Sequence, residues 1–302
     1  MKLVVTGASG FIGSVLCSRL LQKGNTLTLL TRSAPRETST GTKRWLHWRP
    51  GMSGDWESTL SAADGVINLA GEPIANKRWT IKQKHQLRLS RIDTTVGLVR
   101  AIAKSKQKPK FLLNASAVGY YGPRGDETIG EEVEAGTDFL AALCRDWENE
   151  AIKAEKLGVR VIRLRTGIVL GPGGGALAKM APPFKFYVGG PLGSGKQWMP
   201  WIQLEDEVGL IVHLIEHPHA SAAVNATAPN PVTMKEFCRT LGQVMGRPSW
   251  APVPAFALRL MLGEMAEMLL TGQRVVPAAA QRLGYQFRYL NLLDALQACM
   301  PL

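Results

Sequence analysis

Three observations predict a doubly wound parallel α/β sheet. Apolar runs of strand length alternate with amphipathic stretches of helix length. A glycine-rich turn joins the first run to the first helix. The chain's 302 residues, 45% hydrophobic and 20% charged, are enough to bury a large core.

The elements follow in order. Leu3–Thr6 reads as a short buried strand and Phe11–Lys23 as a helix closed by Gly24. Thr26–Leu30 is the second strand. Ser33–Gly54 is polar and reads as loop, with one short strand near Trp45–Trp48. Gly65–Ala70 is another buried strand, and Thr80–Lys104 a long helix closed by Pro109. Lys110–Ala115 is a further strand, followed by a loop from Ser116 to Gly136. The spacing then predicts a helix over Asp138–Leu157, ended by Gly158, and a strand over Val159–Leu164. From Gly171 onward glycine and proline become dense and the alternation lapses, which marks a candidate substrate region. Ala223–Ala226 returns as a last core strand, and the chain beyond Thr233 reads as mainly helical.

Composition excludes several classes. Cys17, Cys144, Cys238 and Cys299 are scattered, without metal-ligand spacing, so neither a disulfide framework nor a zinc site is expected. No apolar run reaches the roughly 18–20 residues of a membrane span. Met1-Lys2-Leu3 runs straight into a strand pattern, so a cytoplasmic protein is expected. The net charge is +12, and residues 75–110 hold eleven Lys or Arg against the single acid Asp93. Without an aromatic ladder or nucleic-acid motif, that stretch reads mostly as a solvated helix face, which disfavours nucleic-acid and membrane partners.

The turn Thr6-Gly7-Ala8-Ser9-Gly10-Phe11-Ile12-Gly13 follows a predicted strand and opens a predicted helix. In that setting Gly7 permits the tight turn and Gly10 admits a pyrophosphate to the backbone. Gly13 lets the helix lie against the strand. Ser9, Phe11 and Ile12 complete the phosphate loop, and the helix N-terminus offers free N–H groups to the anion. This is a Rossmann-type dinucleotide site. The residues after the second strand, Thr31-Arg32-Ser33, carry an arginine instead of an acid, with no acid before Glu37. An arginine there suits a ribose 2′-phosphate, so the expected cofactor is NADP(H).

Several further pieces resemble one narrow group of extended short-chain dehydrogenase/reductases, the atypical "epimerase family" proteins, also labelled cell-division inhibitor-like. They are Asn68-Leu69-Ala70-Gly71-Glu72-Pro73-Ile74 with Lys77-Arg78-Trp79, Ser90-Arg91, and Ser116-Ala117-Val118-Gly119-Tyr120-Tyr121-Gly122. Arg165-Thr166-Gly167-Ile168-Val169-Leu170, Gly189–Gly195 and Gly272-Gln273-Arg274 continue the likeness along nearly the whole chain. The resemblance implies an NADP-binding Rossmann domain over residues 1–170 plus 200–228. It also implies a smaller, mainly helical substrate-type domain over 171–199 and 229–302. It places cofactor contacts on Thr31, Arg32, Leu69, Ala70, Gly71, Gln86, Arg91, Ser116 and Ile168.

Reductases of this superfamily use a tyrosine four residues before a lysine on one helix, with a serine from a nearby strand end. The lysine lowers the phenol pKa so that a proton can move with the hydride. Here, aligned on Glu148, those helix places hold Leu140 and Cys144. The strand-end serine survives as Ser116. Tyr121 and Tyr120 are the loop phenols left to act as acid–base groups, and Lys179 or Lys196 the lysines available from the second domain. Two readings stay open: an NADP(H)-dependent oxidoreductase or epimerase on an unidentified small molecule, or a cofactor-loaded scaffold or redox sensor with a protein partner. The group's label ties that partner to cell division. Trp198 and Trp201 are candidates to line an apolar cleft with Gly189–Gly195, and Asp206 reads as structural, holding the interdomain hinge.

Overall fold

The computed structural model describes residues 1–33 and 40–300. Glu37, the first acid after the second strand, lies outside the described residues. In chain order the first half contains β1 (Lys2–Thr6), α1 (Phe11–Gln22), β2 (Thr26–Thr31), β3 (Lys43–His47), β4 (Gly65–Asn68), α2 (Ile81–Lys104) and β5 (Phe111–Ala117). There follow β6 (Thr128–Ile129), α3 (Phe139–Ile152), β7 (Arg160–Thr166), β8 (Ile168–Leu170), α4 (Leu177–Lys185), β9 (Trp198–Met199), β10 (Trp201–Gln203) and α5 (Leu204–Glu216). The remainder is β11 (Ala222–Ala226), β12 (Val232–Thr233), α6 (Met234–Met245), α7 (Ala255–Leu262), α8 (Glu267–Leu270), β13 (Arg274–Val275), α9 (Ala278–Arg282) and α10 (Leu292–Cys299).

Seven parallel strands form one sheet in the order β11-β7-β5-β4-β1-β2-β3. The order reverses at β1, between β4 and β2, so the carboxyl ends of β1 and β4 border the crevice where ligands of such sheets bind. Central strands are apolar throughout because both faces are covered. Val5 and Ile67 face a cluster with Leu16, Leu20 and Val208, while Val4 and Val66 face one with Leu60, Leu98 and Ile102.

A further cluster, containing Leu177, Phe184, Trp201, Phe237 and Leu296, lies among the later elements. It includes a helix that the glycine- and proline-rich composition conceals. α4 runs through Pro182 and Pro183 and is anchored by buried Leu177 and Phe184. The loop expected after Ser116 holds a single turn of 3₁₀ helix at Val118–Tyr121 and the two-residue strand β6, which pairs with β13. Asp206, on α5, binds the segment before α10. Its carboxylate accepts hydrogen bonds from the Arg288 and Tyr289 N–H groups (2.8 and 2.9 Å) and from the Tyr285 hydroxyl (3.2 Å).

Much of the basic stretch is occupied at the surface. Lys84 pairs with Glu264, Arg88 with Asp146, Lys104 with Glu57 and Lys110 with Asp64. Among the described residues no helix is long and apolar enough to cross a membrane.

Candidate functional site: a glycine turn, a buried ion-pair hub and an apolar cavity

The turn between β1 and α1 is built so closely that side chains are excluded. Gly7 has φ +72°, and a Cβ there would stand 2.6 Å from the Leu69 carbonyl. A Cβ on Gly13 would stand 2.1 Å from the Gly7 carbonyl oxygen. Gly10 caps α1 without any side-chain hydrogen bond, which leaves the first N–H groups of the helix facing outward. This cradle fits a pyrophosphate. Thr31 ends β2, and Arg32 beyond it is exposed, with no ion pair among the described residues. That is the disposition a 2′-phosphate needs.

A buried polar network fixes the neighbouring strand ends. Thr6 donates to Asn68 (2.6 Å), whose amide donates to Asn114 (2.6 Å) and Thr95 (3.1 Å). The Trp147 indole donates to Thr95 from the far side (2.9 Å). Asn68 thereby holds Leu69, Ala70 and Gly71 over the turn. Arg91, on α2, lies across Gly71, whose absent Cβ would be 3.2 Å from the guanidinium carbon. Arg91 donates only to the Leu87 carbonyl (3.1 Å) and Ser90 hydroxyl (3.4 Å), and burial lowers its pKa. Among the described residues it has no carboxylate in ion-pair contact. Gln86 lies on the exposed side of α2, whereas Gln83 is the buried glutamine of that helix.

Ser116 closes β5, and its environment differs from that of a reductase serine. Its hydroxyl donates to the Glu148 carboxylate at 2.7 Å. Glu148 is itself clamped by Arg165 through both carboxylate oxygens (2.8 and 2.9 Å) and by Arg163 (3.2 Å). With three guanidinium N–H donors already on it, this carboxylate accepts the Ser116 hydroxyl proton as well. The single proton of Ser116 is therefore committed, and toward any further partner the hydroxyl can act only as an acceptor.

Tyr120 and Tyr121 serve the same hub. Arg165 donates to the Tyr121 hydroxyl (2.9 Å), which donates to Asn225 (2.6 Å). Tyr121 is fully buried, and burial pushes its phenol up to about 12 against the pull of Arg165. The Arg165 guanidinium stacks 3.5 Å from the centre of the Tyr120 ring. Neither tyrosine lines the cavity. The expectation of a loop phenol left to act as the acid–base group is corrected on this ground: a buried arginine uses one hydroxyl and two aromatic faces. At the reductase places, Leu140 and Cys144 do line the cavity. Burial, then the nearby Glu148 charge, push the Cys144 thiol up to about 12, so it stays neutral.

The cavity measures about 880 Å³. Its lining includes Ser116, Arg91 and Ile168 from the sheet and α2, and Met180, Trp198, Met199, Met265 and Leu269 from the later elements. Trp198 meets the expectation, but Trp201 does not. It is fully buried in the later cluster, and its indole donates to the Asn230 carbonyl (3.1 Å). Lys179 reaches across the cleft to the Ala75 carbonyl (2.5 Å) and Asn76 (2.9 Å), so its ammonium is occupied, while Lys196 is exposed outside the lining. Gln273 donates to the Val118 carbonyl at 3.1 Å, tying the late glycine motif to the end of β5.

Beneath Thr166, Glu207 is completely buried. One oxygen accepts from the Thr166 hydroxyl (2.9 Å) and the other has no partner. Burial raises its pKa from 4.5 to about 8. The folded state then holds a proton that the unfolded chain releases, so this contribution is complete at low pH and is lost as pH rises toward about 8. Glu207→Gln should flatten the fall in thermal midpoint across that interval, read by scanning unfolding temperature against pH. An unchanged slope would exclude Glu207 as its source.

The glycine turn, the switch of strand order above it and the adjoining cavity define a dinucleotide-binding α/β protein of the Rossmann class. The chain belongs to the NAD dependent epimerase/dehydratase family, which matches residues 3–226. Residues 253–299 match a domain of unknown function, DUF1731. The chain is 43% identical to the chloroplastic epimerase family protein SDR39U1 homolog of Arabidopsis thaliana, over 99% of this chain and 87% of that one. Human epimerase family protein SDR39U1, solved with NADPH, is 33% identical and superposes with a TM-score of 0.86 over 99% of both chains. MoeE5, solved with UDP-glucose and NAD, superposes at 0.80 over 99% of this chain and 97% of that one. At 21% identity its likeness extends to the fold alone.

Proposed function

We propose that this chain binds NADP(H) across the carboxyl ends of β1, β2 and β4 and exchanges hydride with a small molecule held in the adjoining cavity. The cofactor, when bound, supplies the hydride chemistry. Gly7, Ser9, Gly10, Phe11, Ile12 and Gly13 would cradle the pyrophosphate, and Thr31 with Arg32 would receive the 2′-phosphate. Leu69, Ala70 and Gly71 would border the cofactor, with Arg91 as its second cation and Gln86 at its margin. Ser116 and Ile168 would flank the nicotinamide. One observation carries this reading: Arg91, Ser116 and Ile168 all line the same cavity, so ligand and cofactor positions adjoin. The human relative solved with NADPH supports the choice of cofactor.

A second reading rests on a specific observation. Leu140 and Cys144 stand where a phenol and ammonium would relay a proton, and the proton of Ser116 is held by Glu148. This favours a cofactor-loaded scaffold or sensor. NADPH deuterated at nicotinamide C4 separates the two. Transfer of the label to a carbonyl compound from a chemically broad panel, weakened at least tenfold by Ser116→Ala with NADPH affinity retained, supports the enzyme. NADPH binding with no transfer to any compound supports the sensor.

A further inference from the structure

We infer that the ligand of this cavity is a lipophilic, uncharged molecule and not a nucleotide sugar. The inference rests on the cofactor placement above, because it concerns the part of the cavity that NADP(H) would leave open.

The first ground is charge. Among the lining residues the cations are Arg91 and Lys179, set against the carboxylates Asp138, Glu264 and Glu267. Arg91 lies over Gly71 at the cofactor end, and the Lys179 ammonium is already held by Ala75 and Asn76. Glu264 and Glu267 are also lining residues, each ion-paired to a cation outside the lining, Lys84 and Arg259. A nucleoside diphosphate brings two negative charges and requires charge-assisted donors. Beyond the cofactor end the lining offers no uncommitted cation for it.

The second ground is the apolar lining itself. Six of the ten methionines of the chain line the cavity: Met180, Met199, Met234, Met261, Met265 and Met268. Unbranched, polarisable thioethers adapt to apolar ligands of varied shape. A packed core does not need so many, and here they are gathered around open space.

The third ground is the rim. Met261 is 65% exposed while contributing to the lining, and Phe256 and Leu260 beside it on α7 are 73% and 78% exposed. Val188, also a lining residue, is 51% exposed, and Trp250 is 66% exposed, with its indole bonded to the neighbouring Tyr187 carbonyl. The apolar surface thus continues from the interior to the outside, which is the path a poorly soluble ligand needs. At the inner end the Ser116 hydroxyl, whose proton goes to Glu148, is left to act as an acceptor, so a single hydroxyl or amine on an otherwise apolar body suits the site.

The test uses the full chain, with and without saturating NADPH, and N-phenylnaphthylamine as a fluorescent apolar probe. Straight-chain primary alcohols from hexanol to dodecanol, and separately UDP-glucose, compete for it. The expected result is one saturable probe site per chain. Each added methylene should tighten displacement about fourfold until the chain outgrows the cavity. UDP-glucose should not displace the probe at millimolar concentration. Met261→Glu and Met268→Glu should each weaken alcohol binding about tenfold, while Met52→Glu, exposed but outside the lining, should leave it unchanged. Absence of a saturable site, a flat dependence on chain length, or tight binding of UDP-glucose would overturn the inference. NADPH affinity, measured by calorimetry on the same samples, keeps the two readings apart. Alcohol binding without NADPH binding removes only the cofactor assignment, and the reverse removes only the lipophilic one.

Discussion

Glu148→Ala should destabilise the protein by about 3–5 kcal/mol, the cost of leaving a buried cation without its partner. Glu148 and Arg165 are each 2% exposed, and the carboxylate also anchors Arg163 and Ser116. With Glu148 gone, Arg165 keeps only the Tyr121 hydroxyl and the Glu131 carbonyl as acceptors, neither of which balances its charge. Denaturant midpoints measured with constant slope would give the loss. The double variant Glu148→Leu with Arg165→Met should recover a large part of it, because a well-packed apolar pair does not bear the desolvation penalty of two ions. A single-variant loss below about 1 kcal/mol would show that the hub is open to water, contrary to its burial.

Arg32→Asp should weaken NADPH binding about 100-fold while leaving NADH nearly unchanged. A forked arginine–phosphate contact is worth about 1.5–3 kcal/mol, and the new carboxylate adds repulsion. Arg32 is exposed and free of ion pairs among the described residues, so the substitution removes little from the folded state. Titrating both cofactors by calorimetry gives the ratio. Equal losses for NADPH and NADH would move the 2′-phosphate contact elsewhere, Arg91 being the next cation in reach of the turn.

The sheet was legible because strands covered on both faces carry continuous apolar runs, and because Gly7, Gly10 and Gly13 mark a turn that no other residue can make. The reach of α4 was hidden. Pro182 and Pro183 read as loop signals, and only the burial of Leu177 and Phe184 against the later cluster holds that helix. The hub was equally hidden, because Glu148 on α3, Arg163 and Arg165 on β7, Tyr121, and Asn225 on β11 come together only once the sheet and its helix have packed. A signal was nevertheless present. Glu148 falls on the helix face of Leu143, Cys144, Trp147 and Ala151, all buried, and a carboxylate on such a stripe requires a cation. Arg163 and Arg165, alternating with buried Ile162 and Leu164 in β7, supply it. The same omission explains the misplaced role of Tyr121, since a phenol next to a glycine motif looks available until the arginine beneath it is seen.

The most direct test of the central claim is a crystal structure of the full chain grown with NADPH. The pyrophosphate should lie over Gly7–Gly13, the 2′-phosphate against Arg32, and the nicotinamide C4 should face the cavity beside Ser116. A cofactor bound elsewhere, or a nicotinamide turned away from the cavity, would contradict the account.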